Sequence, residues 1–159
     1  MAKIVSAGFD QLEKELQNLA NQSGNIATKA LYEGSGYMAD KIRNATESLE
    51  TEDQRRKPSK SVLGYEKKAL LKGLTVEKFK NDIAKDSINT SITFHGRSDH
   101  RTEKYPDGVP TILLARAIVA GTTFRRANRF FPNAINRNRK DTEELMVRTA
   151  ENEIRKLIK

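Results

Sequence analysis

Cysteine and tryptophan are absent from this 159-residue chain, and histidine occurs only twice. Without cysteine there is no disulfide frame, no thiolate metal site and no cysteine nucleophile. Long apolar runs are missing too. The longest, such as Ile112–Leu113–Leu114–Ala115, is far short of the roughly 18 residues of a membrane span. The opening MAKIVSAGFDQLEKEL has no apolar stretch of the kind that a secretory leader needs. The expectation is a protein made and kept in a cytoplasm unless a larger assembly carries it out. No collagen, coiled-coil or solenoid period is visible.

Charge is what the chain has in quantity. Lys and Arg number 29 against 21 Asp and Glu, a formal charge of +8, and charged residues make up 31% of the total. The hydrophobic fraction is 36%. That balance fits one small domain, residues 1–159, with a large wet surface or with apolar surface reserved for a partner.

The apolar spacing places the elements. Lys3–Ala7 reads as a short strand or extended arm. Phe9, Leu12, Leu16 and Leu19 form one face of a first helix, ending in the turn-forming cluster Asn21–Gly24. A second helix carries Ile26, Ala30, Leu31, Tyr37, Met38, Ile42 and Ala45, with small residues including Gly34 and Gly36. Glycines inside a helix cost about 1 kcal/mol each. Their presence implies close approach of another backbone, either within the domain or across a subunit interface. Glu47–Ser61 is polar and aperiodic, and is expected to be a mobile loop.

Further on, a turn or short helix is expected around Tyr65–Lys72, and a strand from Leu74 to Lys80. Ile88–His95 alternates β-branched and polar residues, the pattern of a strand with one covered face. Arg97–Val109 reads as an exposed loop with a tight turn at Pro106–Asp107–Gly108. Pro110 and Gly121 bracket a helix over TILLARAIVA. Pro132 opens the last helix, with a pause expected at Asp141, where Glu144 gives capping-box spacing. The resulting class is α+β: a small antiparallel sheet packed against two N-terminal helices and a long C-terminal helix.

Chemistry-bearing constellations are scarce. His95, Asp99 and His100 lie within six residues, but a polar loop offers none of the rigidity a metal site needs. No phosphate-cradling glycine loop, GxSxG or HExxH is present. The chain is therefore expected not to be an enzyme and to carry no metal or cofactor. Between Gly121 and Lys140 stand Arg125, Arg126, Arg129, Arg137, Arg139 and Lys140, with no acid among them and with Phe124, Phe130 and Phe131 interleaved. Basic residues with aromatics suit either a nucleic-acid backbone or the core of a protein interface. The candidate interface residues are Arg125, Arg126, Arg129, Phe130 and Phe131, together with Gly34 and Gly36.

The order of these segments resembles the tail-completion, or head–tail joining, proteins of long-tailed bacteriophages (gene-ten-like minor tail components). GFDQLEKELQNLA is similar to that family's opening helix, and ATKALYEGSGYMADKIRNAT to its small-residue second helix. VPTILLARAIVAGTTFRRANRFFPNAINRNRKDTEELM resembles its closing segment, with Gly121–Thr122 as the Gly-Thr pair and Phe130–Phe131–Pro132 as the aromatic anchor. Val119 and Ala120 stand where the family has an acid and an aromatic, and Arg129 where it has proline.

The resemblance implies a non-enzymatic virion protein of a phage or prophage neck, present in the host cytoplasm during assembly. It implies homo-oligomerisation into a ring, commonly six-fold, around the DNA channel. Its partners would be other neck and tail proteins (connector or stopper, tail terminator or tube) and DNA passing non-specifically, with no membrane. The alternative is a small basic nucleic-acid-associated protein. In a ring, Arg125, Arg126 and Arg129 would face either the channel or acids of a neighbouring subunit.

Overall fold

The computed structural model describes residues 7–54, 58–82 and 87–158. Its dominant element is α1, one helix over Ala7–Glu47. The expected break at Asn21–Gly24 does not occur, so the two N-terminal helices of the sequence reading are a single element. The polar residues there fold back on the helix itself. Ser23 donates to the Ala20 carbonyl at 2.8 Å, and Asn25 to the Gln22 side chain at 2.8 Å. Thr28 donates to the Gly24 carbonyl at 2.8 Å. Local bonds of this kind offset the weak helix propensity of Asn, Ser and Gly. The strand or arm expected at Lys3–Ala7 falls outside the described residues except for Ala7, which starts α1.

After α1 the chain makes β1 (Thr51–Glu52), β2 (Val62–Leu63), α2 (Gly64–Gly73), β3 (Leu74–Val76), β4 (Lys80–Asp82), β5 (Ser87–Asn89), β6 (Ile92–Phe94), α3 (Thr111–Ala120) and α4 (Phe130–Leu157). The class is α+β, with a small antiparallel sheet beside a long N-terminal and a long C-terminal helix. Gly121 ends α3 at φ 79°, and a Cβ there would lie 2.9 Å from the Ala127 amide nitrogen. α4 begins at Phe130, two residues before Pro132, and runs through Asp141 without the expected pause.

The two strands expected at Leu74–Lys80 and Ile88–His95 are present, and both are interrupted at the same place. β3 pairs with β6 in the register Val76↔Ile92, while β4 pairs with β5 in the register Lys80↔Asn89. Three residues separate the pairs on one strand and two on the other, which is a β-bulge. Glu77 holds it: its amide donates to the Ser91 carbonyl at 2.8 Å. Its carbonyl accepts from Thr90 at 2.7 Å, and its carboxylate accepts from the Ser91 hydroxyl at 2.7 Å. That last bond, then the Lys80 ammonium and His95, hold the Glu77 carboxyl below the usual range.

The described parts of Glu47–Ser61 are tied to the domain. Leu49 is buried, the Val62 amide donates to the Glu50 carbonyl at 2.9 Å, and β1 pairs with β2 in parallel. Residues 55–57 lie outside the described set. The core gathers Ile42, Leu49, Val62, Leu70, Leu74, Phe94, Ala115, Ile118, Phe130 and Ala134. It sits where the C-terminal half of α1 meets α2, α3 and the first turns of α4.

α1 and α4 run antiparallel. Lys29 meets Glu153 at 2.7 Å, and Gly34 faces Met146 and Thr142. A Cβ on Gly34 would collide with the Met146 side chain, so at this glycine a side chain of α4 packs directly on the α1 backbone. Gly36, by contrast, has nothing within 4 Å of such a Cβ. The two glycines therefore separate in a stability measurement. Gly34→Val is expected to lower stability by about 1–3 kcal/mol through overpacking. Gly36→Ala is expected to raise it by about 0.5–1 kcal/mol through helix propensity. Urea denaturation of the two variants checks this; equal effects would contradict the crossing.

Candidate functional site

The basic loop between α3 and α4 is built as a strap. Thr122 and Arg125 exchange backbone hydrogen bonds of 2.9 and 3.1 Å, forming a tight turn with Phe124 within it. The Arg126 amide then donates to the Ser59 carbonyl at 3.0 Å, and the Asn128 amide to the Ile118 carbonyl at 2.8 Å. The Asn128 side chain donates to the Lys60 carbonyl at 3.0 Å. The strap thus lies against the segment that leads into β2.

Arg125 is pulled inward. Its side chain is 2% exposed and that of Glu66 is 5% exposed. One guanidinium nitrogen donates to both Glu66 oxygens, at 2.6 Å for Oε1. Glu66 also accepts from the Leu63 amide at 2.8 Å, closing the first turn of α2. One buried pair therefore fixes the start of α2 and the position of the strap. The other terminal guanidinium nitrogen, Nη1, is buried without a hydrogen-bond partner among the described residues.

The expected interface residues separate accordingly. Arg125 is corrected from a surface cation to a core ion pair, because its carboxylate partner belongs to the same chain. Arg126 and Arg129 are exposed. Phe130 is buried in the core at 6% exposure. Phe131 is half-buried against the same core, its ring edge-on to that of Phe130 at 6.4 Å and tilted against Phe94 at 5.7 Å between centroids. Gly34 is taken up by the internal α1–α4 crossing, whereas Gly36 is exposed. The structure therefore leaves Arg126, Arg129, Phe131 and Gly36 at or near the surface.

The histidine–aspartate group does not converge. His95 Nε2 faces Glu77 Oε1 at 3.4 Å, His100 stacks on Tyr65 at 4.5 Å, and Asp99 pairs with Lys68 at 2.9 Å. The Lys68 hydrogen bond and its charge hold the exposed Asp99 carboxyl below its ordinary range. Among the described residues, no group of three or more His, Cys, Asp or Glu side chains is placed to hold a metal ion.

Several surfaces were not foreseen from the sequence. Phe124 is 75% exposed in the strap's turn. α4 ends four residues after Glu153, opposite about residue 25 of α1. Some 18 residues of α1 therefore extend beyond it, about 27 Å of helix. On that arm Leu12 is 49% and Leu16 57% exposed. A cleft of about 520 Å³ between the last turns of α1 and the first turns of α4 carries Lys41, Lys60 and Arg137 against one acid, Glu50. A second, apolar groove of about 300 Å³ lies between β6 and α3, with Phe131 at its wall. The arm's spacing was readable as a helix face; that no described residue covers Leu12 and Leu16 was not.

No family model, curated protein or solved structure matches this chain.

The ion pair gives a direct expectation. Arg125→Met takes the guanidinium away from a buried carboxylate, and breaking such a pair from one side costs about 3–5 kcal/mol. Arg126→Ala, one residue on and exposed, is expected to stay within about 0.5 kcal/mol of the parent. Urea melts of the two variants measure the difference; a mild Arg125 effect would contradict the core assignment.

Proposed function

We propose that this chain is a non-enzymatic structural subunit that assembles with further copies of itself, as a neck or tail-completion component of a tailed bacteriophage or prophage. The observation that carries the reading is the leucine-bearing arm of α1, which continues the apolar stripe of the α1–α4 packing past the end of α4. A helix stripe left bare over that length invites cover from another chain. Exposed Phe124, Ile112 and Val147 add apolar surface elsewhere. The order of the segments, similar to that of tail-completion proteins, supplies the phage context. In that role the protein would form a ring around the DNA channel, and Arg126 and Arg129 would meet a neighbour's acids or the passing phosphates.

The second reading, a small basic nucleic-acid-associated protein, is favoured by the Lys41–Lys60–Arg137 cleft and by the net charge of +8. The two readings part in one pair of measurements. Electron microscopy of the purified chain is expected to reveal closed particles of one discrete size. Retention on duplex DNA is expected to be weak and largely insensitive to Arg126→Glu with Arg129→Glu. Monomers that hold DNA tightly at low salt, and release it steeply as salt rises, would instead establish the nucleic-acid reading.

A further inference from the structure

β6 has one edge that no described residue pairs. The His95 amide donates to the Gly73 carbonyl and the Glu77 amide to the Ser91 carbonyl. Residues 91, 93 and 95 therefore turn their backbone groups toward β3. By the same alternation Ile92 and Phe94 turn theirs away, and among the described residues those amides and carbonyls have no backbone partner. The apolar groove runs along this edge. Three successive strand residues, Ile92, Thr93 and Phe94, line it together with Ile112, Ala115, Val119 and Phe131. A groove lining one face of a strand would show alternate residues instead. The edge carries no lysine or proline of the kind that natural sheets use to block strand addition.

We infer that this edge and groove accept the segment Lys3–Ser6 of a second copy, added to β6 as a further strand. The inference rests on the self-assembly reading above and names the contact that would join one subunit to the next. Ile4 and Val5 are β-branched and adjacent, so an extended segment turns one of them toward α3 and Phe131. Main-chain bonds to Ile92 and Phe94 supply affinity, and the groove supplies the side-chain pocket.

Reach decides that the donor is another molecule. Met38, an α1 residue packed against the same core as Phe131 and Ile92, lies 31 residues from Ala7. That is about 46 Å along the helix. Ile4 is three residues before Ala7, and three extended residues span at most about 11 Å. A chain therefore cannot fill its own groove. Donor and acceptor lie at opposite ends of the subunit, so the contact is head-to-tail and builds a ring or a filament rather than a two-fold dimer.

The chain has no cysteine, so disulfide trapping reads this contact without background. Ile112 is 48% exposed and lines the groove, so Ile112→Cys leaves the core intact. The variants are Ile4→Cys and Val5→Cys, each made singly and each combined with Ile112→Cys, and oxidised at assembly concentration. The double variants are expected to give a ladder of covalent dimers, trimers and larger species. Mixing a single N-terminal variant with single Ile112→Cys chains is expected to give heterodimers. Replacing Ile112→Cys by Val147→Cys, also exposed, is expected to abolish the ladder. A cross-link within one monomer, a symmetric cross-link between two N-terminal cysteines, or a ladder as strong with Val147→Cys would each overturn the proposal. Assemblies that persist by sedimentation without any cross-link at Ile112→Cys would overturn this contact alone. An unmodified chain that stays monomeric would overturn the self-assembly reading itself.

Discussion

A helix of 41 residues cannot be covered along its length by a partner of 28. The two differ by about 20 Å, and the antiparallel alignment puts the whole excess at one end. The exposed apolar arm of α1 follows from that mismatch. Where α4 is present, the stripe on α1 is closed, with the Met146 side chain seated directly on Gly34. Where α4 has ended, the same stripe continues as Leu12 and Leu16 in contact with water. Isolated helical segments of this length gain most of their stability from packing, so an uncovered amphipathic arm is poised for a second surface.

The globular end is organised differently. There the strap between α3 and α4, the segment entering β2 and the start of α2 are brought together by the Glu66–Arg125 pair. Pairs of this type add little net stability compared with apolar replacements, but they are costly to break and directional. The consequence is a fixed strap that leaves Phe124, Arg126 and Arg129 outside while Phe130 enters the core. The same anchoring sets the α3 side of the groove along β6. Among the described residues two apolar surfaces are left without cover, the α1 arm and the groove along β6, and under the proposed self-assembly they suit head-to-tail association.

The helices and strands were largely legible in the sequence because their signals are local. Pro110 and Gly121 bracket α3, and alternation marks Ile88–His95. The turn residues at Asn21–Gly24 misled because their side chains bond back within the helix, which composition does not reveal. The bulge was hidden because one extra residue in a strand leaves the alternation on either side intact. For the candidate surface, the burial of Phe130 and the part-burial of Phe131 depend on both lying in the first turn of α4 against the core around Phe94, which their adjacency in the sequence does not reveal. The fate of Arg125 did not, because its partner is 59 residues away and nothing local singles out Glu66 among many carboxylates. Likewise the spacing of Leu12, Leu16 and Leu19 announces a helix face, whereas its bareness depends on where α4 stops.

The central claim is that the bare stripe of the α1 arm is a contact between copies. Sedimentation velocity of the Leu12→Glu, Leu16→Glu double variant beside the parent chain tests it most directly, with thermal melts of both to follow the fold. The account predicts a parent that sediments as a discrete oligomer, and a variant that falls to the 17.9 kDa monomer while retaining a cooperative melt. A variant that sediments like the parent, or a parent that is monomeric at every concentration, would contradict it.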